Sequence, residues 1–269
     1  MRYCRFQLNG GANYGLVESV AGRDAIVRIL LTPPEHADGD IESLRTRRID
    51  AIPLEEASLL PAVQPSKIVC VGRNYREHAA ELGHDVPSEP LIFLKATSAL
   101  LAPGGTVRRP KISSRVDFEG ELGVVIGRMC YQPPPDADIR QYILGYTCVN
   151  DVTARDLQNK DGQWSRAKGF DTFCPVGPVV SDELDPWAGV AVSTHVNGTA
   201  RQQGNTRDFI FTLDTVIRHI AQAMTLFPGD LIPSGTPSGV GPLIAGDTVD
   251  ISVEGVGTLR NSVIDEAAT

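Results

Sequence analysis

Val116-Asp117-Phe118-Glu119-Gly120-Glu121-Leu122-Gly123-Val124-Val125-Ile126 reads as a strand that carries two carboxylates into an apolar interior. In a strand, residues two apart project to the same face, so Glu119 and Glu121 stand side by side. Two carboxylates that close repel unless a cation lies between them or one takes a proton. A solvated strand edge would also tolerate the pair, but the apolar run Leu122 to Ile126 weighs against it. A third carboxylate, Asp151, closes another apolar stretch, Gly145-Tyr146-Thr147-Cys148-Val149-Asn150. Three carboxylates with no Cys or His cluster beside them suit a hard divalent ion, Mg²⁺ or Mn²⁺, better than zinc.

Outward from this segment, short strands dominate. Lys67 to Gly72 and Tyr142 to Val149 read as buried strands, and Gly246 to Ile264 alternates like a strand pair around Glu254-Gly255-Val256-Gly257. Asn197-Gly198 between Val196 and Thr199 predicts a hairpin turn, a better reading than a glycosylation acceptor. Helical spacing is clearest where Phe209, Ile210, Leu213, Val216, Ile217, Ile220 and Met224 recur. It predicts a helix from Asn205 or Thr206 to the stop at Phe227-Pro228-Gly229-Asp230. His219 within it is expected to be a packed or surface residue. Asn74 to Leu82 also looks helical, followed by a Gly/Pro-containing stretch, Gly83 to Pro90. Strands and helices do not alternate regularly, so the expectation is a β-dominated α+β fold and not a doubly wound sheet. Residues 1–60 read as a small β-rich N-terminal domain, and 61–269 as the catalytic domain.

The 269 residues carry a formal charge of −8, and 42% of them are hydrophobic. Such a chain can bury a large core. Its acidic balance excludes nucleic acid and anionic membrane as partners, because both need a basic face. The five cysteines are odd in number and widely spaced without Cys-x-x-Cys, so neither a disulfide framework nor a zinc site is expected. No apolar stretch approaches a membrane span, and Met1 to Gly11 shows no secretory h-region. A soluble cytoplasmic protein is the expectation.

A base is available in Gly72-Arg73-Asn74-Tyr75-Arg76-Glu77-His78-Ala79-Ala80-Glu81. On a helix His78 and Glu81 are i, i+3 neighbours. A carboxylate on one imidazole nitrogen raises the basicity of the other, although an exposed His–Glu pair without catalytic work has the same spacing. No Gly-x-Ser-x-Gly elbow supports a serine nucleophile. Gly235-Thr236-Pro237-Ser238-Gly239-Val240-Gly241 lacks the P-loop lysine. Its amides could hold a carboxylate, or it could be a plain turn.

Taken in order, these motifs resemble the fumarylacetoacetate hydrolase family over about residues 65–265. The resemblance rests on Gly72-Arg73-Asn74-Tyr75 with His78, Phe93-Leu94-Lys95, Phe118 to Gly123 and Asn150-Asp151-Val152-Thr153-Ala154-Arg155-Asp156. Asp161 to Gly169, and Gly235-Thr236-Pro237 with Gly239-Val240-Gly241, complete it. It implies a mixed β-sandwich or roll and a ligand set for Mg²⁺ or Mn²⁺ made of Glu119, Glu121 and Asp151. It further implies a water-activating dyad, His78 with Glu81, and a substrate-contacting Lys168. Thr236 would hold a substrate carboxylate, with Arg73, Tyr75 and Gln158 as further pocket residues and the loop after His78 as a lid. Fumarylacetoacetase itself carries an additional Asp ahead of its His, whereas Cys70-Val71-Gly72 offers none. The likeness is therefore to the short acylpyruvase, oxaloacetate decarboxylase and dienedioate isomerase branch.

The activity this implies is metal-dependent hydrolysis of the C–C bond of an acylpyruvate-type 2,4-dioxo acid through a metal-stabilised pyruvate enolate, in a homodimer with a small 2-oxo acid as substrate. Oxaloacetate decarboxylation, or isomerisation of 2-hydroxyhepta-2,4-diene-1,7-dioate, would use the same enolate. A non-catalytic metabolite-binding protein is the alternative of another class.

Overall fold

The structure is a computed structural model that describes residues 1–38, 44–77 and 87–267. Its first four strands form a meander: β1 (Arg2–Leu8), β2 (Gly11–Val20), β3 (Arg23–Leu30) and β4 (Thr46–Pro53). Two strands of the main body follow, β5 (Ile68–Gly72) and β6 (Leu91–Lys95), then the short β7 (Leu100–Leu101) and β8 (Thr106–Arg109). The acidic segment gives β9 (Val116–Phe118) and β10 (Gly120–Ile126). After it come β11 (Ile143–Asn150), β12 (Thr153–Ala154), two short helices, α1 (Arg155–Asp161) and α2 (Ser165–Lys168), and β13 (Cys174–Ser181). The last third holds the hairpin β14 (Ala191–Val196) and β15 (Thr199–Asn205), then helix α3 (Leu213–Ala223). It closes with β16 (Leu231–Pro233), β17 (Gly241–Pro242), β18 (Thr248–Val253) and β19 (Gly257–Asp265).

One large sheet runs in the order β4-β3-β2-β1-β13-β11-β10-β16-β5-β6, with β7 attached to β13; a second runs β15-β14-β18-β19-β8. Both are mixed, since β16–β5, β13–β7 and β19–β8 pair in parallel. The N-terminal meander joins the large sheet through β1 and β13, with Tyr3 opposite Val180. Every residue of β10 is buried, because one of its faces meets the second sheet. At Gly120 a Cβ would collide with Thr194 Oγ1 and come within 3.0 Å of Ile251 Cδ1, so glycine is what lets the sheets close there. The architecture is the β-dominated α+β arrangement expected from the sequence. No helix among the described residues is long and apolar enough to cross a membrane.

The Asn197-Gly198 turn is the predicted hairpin, both residues having positive φ (51° and 76°). The long helix differs from its expected bounds. The chain makes a short 3₁₀ turn at Thr206–Asp208, and α3 begins only at Leu213, with the Thr212 hydroxyl capping Thr215 N at 3.3 Å. The segment between is pinned by tertiary contacts that no helical periodicity reveals. Asn74 Oδ1 accepts from Phe211 N (2.8 Å), its Nδ2 donates to Phe211 O (3.2 Å) and Ser234 O (2.9 Å), and Tyr75 bridges Phe209. The helix ends at Ala223, before Met224.

Asn74 is fully buried, so its carboxamide is a bracket between the loop before α3 and the end of β16. Replacing Asn74 by Ala leaves its three hydrogen-bond partners without that carboxamide and should cost about 3 kcal/mol. Denaturant unfolding should show a lower midpoint at unchanged slope; an unshifted midpoint would refute the bracket.

Candidate active site

Glu119 lies at a break between β9 and β10, not within a continuous strand as its sequence suggests. The break is made by Asn150, whose Oδ1 takes the Glu119 N–H at 3.0 Å in place of a ladder bond. Asp151 N then donates to Glu119 O at 2.8 Å as the chain leaves β11. Glu121 lies one register pair further along β10, opposite Val149. Carboxylate oxygens of Glu119, Glu121 and Asp151 all lie within 4.8 Å of one another, and all three residues are buried.

Three cations pair with this cluster, and a fourth, Arg115, pairs with the neighbouring Asp117. The Lys168 ammonium, at the end of α2, sits 2.7 Å from Glu119 Oε2 and 2.6 Å from Asp151 Oδ2. Lys95 closes β6 with its Nζ 2.6 Å from Asp151 Oδ1. Arg155, at the start of α1, donates to Glu119 Oε1 (2.6 Å) and Asp117 Oδ2 (2.9 Å), and Arg115 grips Asp117 from outside. Glu121 is held differently: its Oε2 accepts from Gly235 N at 2.8 Å. Gly235 has φ +103°, and a Cβ there would lie 2.7 Å from Asn74 Cβ, so the turn that offers this amide needs glycine.

Burial, then the neighbouring Asp151 and Glu119 charges, push the Glu121 carboxyl well above the usual carboxylate range; Lys168 and the Gly235 amide offset this only in part. Burial alone would lower the Lys168 pKa, but Asp151 and Glu119 outweigh it and carry the ammonium to about 12. Lys168 is therefore a permanent cation. An all-oxygen donor set that is buried, mutually repulsive and short of positive charge at Glu121 fits a hard divalent ion.

That fit has a pH signature. Without an ion between the carboxylates, the folded chain holds the Glu121 proton more tightly than the unfolded chain does. Stability is thus lost as pH rises from the ordinary carboxylate pKa through the raised one. A bound cation needs Glu121 ionised and removes the penalty. The rise in Tm on adding Mg²⁺ or Mn²⁺ should grow across that window, with protons released on binding. A pH-independent rise would contradict this.

The three carboxylates, Lys168, Arg155 and Arg115 line a cavity of about 460 Å³. Of the residues expected at the site, it brings together Glu119, Glu121, Asp151, Lys168, Arg73, Gln158 and Thr236. Gln158 has its Oε1 fixed by Arg155 at 2.6 Å. The Thr236 hydroxyl donates to Gly120 O (2.9 Å) and accepts from Gln202 Nε2 (2.7 Å), so it braces the strand carrying the glutamates. Tyr75 does not line the cavity; it is buried edge-on against Phe209, ring centroids 5.0 Å apart. His78 and Glu81 lie outside the described residues. Lys95, Arg155, Phe93 and Trp164 belong to the site without having been assigned a role from sequence. The available signals were a lysine ending an apolar strand and an arginine four residues after Asp151.

The chain matches the sequence profile described as fumarylacetoacetate (FAA) hydrolase C-terminal over residues 67–264, which spans every motif quoted above. It belongs to the fumarylacetoacetate hydrolase family. Among relatives of this family member, 2,4-didehydro-3-deoxy-L-rhamnonate hydrolase of a Sphingomonas species is 38% identical over 98% of this chain and 96% of its own length. The crystal structure of 2-hydroxyhepta-2,4-diene-1,7-dioate isomerase from Mycobacterium marinum superposes over 100% of both chains at a TM-score of 0.85 and 40% identity. Fumarylpyruvate hydrolase from Pseudomonas aeruginosa, solved with Mn²⁺ and pyruvate, covers 76% of this chain and 91% of its own, at a TM-score of 0.71 and 29% identity. As a fumarylacetoacetate hydrolase family protein, the chain is an enzyme, and the family includes hydrolases and isomerases.

Proposed function

We propose that this enzyme hydrolyses the C3–C4 bond of acylpyruvate-type 2,4-dioxo acids, with Mg²⁺ or Mn²⁺, as a cytoplasmic homodimer. The observation that carries the reading is the cavity's buried carboxylate triad with the Lys168 ammonium seated against two of its members. Glu119, Glu121 and Asp151 would hold the divalent ion, which would supply Lewis-acid polarisation at the substrate's 2-oxo end. Lys168, fixed as a cation, faces the oxygens where negative charge grows, and charge stabilisation by a preorganised site is usually the largest catalytic contribution. His78, oriented by Glu81, takes a proton from water, and the hydroxide adds to the C4 carbonyl. The C3–C4 pair then moves to the pyruvate half as its enolate, which takes a proton at C3, while the acyl half leaves as a carboxylate. Phe93 and Trp164 form an aromatic part of the cavity wall.

The Sphingomonas relative supports this, since a 2,4-didehydro-3-deoxy sugar acid is itself a 2,4-dioxo acid. A second reading, isomerisation of an unsaturated hydroxydioate, is favoured by the full-length likeness to the Mycobacterium marinum isomerase. It requires proton transfer but no attacking water. A substrate panel decides: acetylpyruvate, a 2-hydroxydienedioate and oxaloacetate, each with Mg²⁺, Mn²⁺ or chelator, with products identified by NMR. Metal-dependent release of acetate and pyruvate supports hydrolysis. Tautomeric or double-bond products alone would replace it with the second reading.

A further inference from the structure

Lys95, Lys168, Arg155 and Arg115 each face a carboxylate. Arg73 lines the same cavity, yet it makes no ion pair or hydrogen bond among the described residues. Its guanidinium lies over the Trp164 ring, 5.9 Å from the centroid, and the side chain is half-buried. Trp164 in turn meets Phe93 edge-on at 5.1 Å, and Phe93 lies 5.1 Å from the Lys168 ammonium. The cavity thus has two cationic ends separated by an aromatic wall of two rings. At the Lys168 end, positive charge is matched by carboxylates; at the Arg73 end it is not. Arg73 also has φ 56°, a left-handed backbone that a side chain of its size rarely adopts. A guanidinium held there, over a ring and without an acidic partner among the described residues, is placed to receive an anion from outside the chain.

We propose that Arg73 selects substrates carrying a second anionic group remote from the 2-oxo acid end, with the linking carbons lying along Phe93 and Trp164. The proposal deepens the hydrolase reading, since it names which acyl half the cavity prefers. The 2-oxo acid end stays with the triad and Lys168. The far carboxylate meets the planar fork of Arg73, which can engage it through two parallel N–H donors. Length then matters as well as charge, because the two cations are held two rings apart.

The test separates selectivity from turnover. Binding of 2-oxoadipate and of its uncharged length match, 2-oxohexanoate, is measured by calorimetry on the Mg²⁺-loaded protein, for the wild type, Arg73→Met and Arg73→Lys. The wild type should bind 2-oxoadipate more tightly. Arg73→Met should weaken that ligand by at least about tenfold and 2-oxohexanoate by less than about twofold, with Arg73→Lys in between. Equal affinities in the wild type, or equal losses for both ligands in Arg73→Met, would overturn the proposal. Turnover of succinylpyruvate against acetylpyruvate gives a parallel KM ratio. Should neither be hydrolysed while the binding preference still follows Arg73, the hydrolase reading fails and the anion subsite stands.

Discussion

Glu121→Gln should lower turnover on the order of 10²–10³-fold, as expected when the ion that stabilises developing charge in a preorganised site loses one of its three carboxylate ligands. The same change should leave the metal-free protein as stable as the wild type, or more so. Gln is nearly isosteric with Glu and keeps an acceptor for the Gly235 amide, while removing a charge that burial, Asp151 and Glu119 all oppose. The rise in Tm on adding Mn²⁺ should shrink sharply. Asp151→Asn gives the contrasting result. Its two oxygens hold the Lys95 and Lys168 ammonium groups at 2.6 Å, both almost fully buried, and neutralising it leaves both under-compensated. Breaking a buried pair this way costs about 3–5 kcal/mol. Activity falls in both variants, but metal-free stability falls only in Asp151→Asn. Activity assays with thermal melts, with and without Mn²⁺, read the split. Equal metal-free destabilisation in the two would mean that the triad's charges are not arranged as described.

His78→Ala carries the second large effect and divides the two chemistries. A positioned general base contributes roughly 10²–10⁴-fold, so acylpyruvate hydrolysis should fall by about 10³. Loss of a base should appear in kcat more than in KM, since the groups facing the 2-oxo acid end are untouched. Decarboxylation of oxaloacetate needs no attacking water and should survive far better in the same variant. Glu81→Gln should act in the same direction with a smaller loss, because the proposed mechanism gives Glu81 only the orienting of the imidazole. Undiminished acylpyruvate turnover in His78→Ala would remove water activation from this residue.

The parts of the site that strand periodicity can reach were legible in the sequence. Glu119 and Glu121 are two apart at the head of an apolar run, and Asp151 ends another, so all three arrive at one end of neighbouring strands β10 and β11. The break at Glu119 was not legible, because it depends on a side chain 31 residues away. The start of α3 was misplaced for the same kind of reason. Phe209 and Ile210 keep helical spacing, but Asn74, 137 residues from Phe211, holds that stretch out of the helix. Lys95 is joined to Asp151 across 56 residues. A lone lysine after an apolar strand looks like an ordinary solvated end until the sheet order places β5 and β6 beside β16 and β10. Thr236 is similar: its place in a Gly-rich turn is visible, whereas its bond to Gly120 O follows from the packing of that turn on β10.

Anomalous diffraction at the manganese edge, from crystals grown with Mn²⁺, reads the acidic cage most directly. A single strong peak per chain, within bonding distance of oxygens from Glu119, Glu121 and Asp151 and lost in Glu121→Gln, is the expected result. A peak seated elsewhere, or none at this cluster in a turning-over enzyme, would contradict the proposed chemistry.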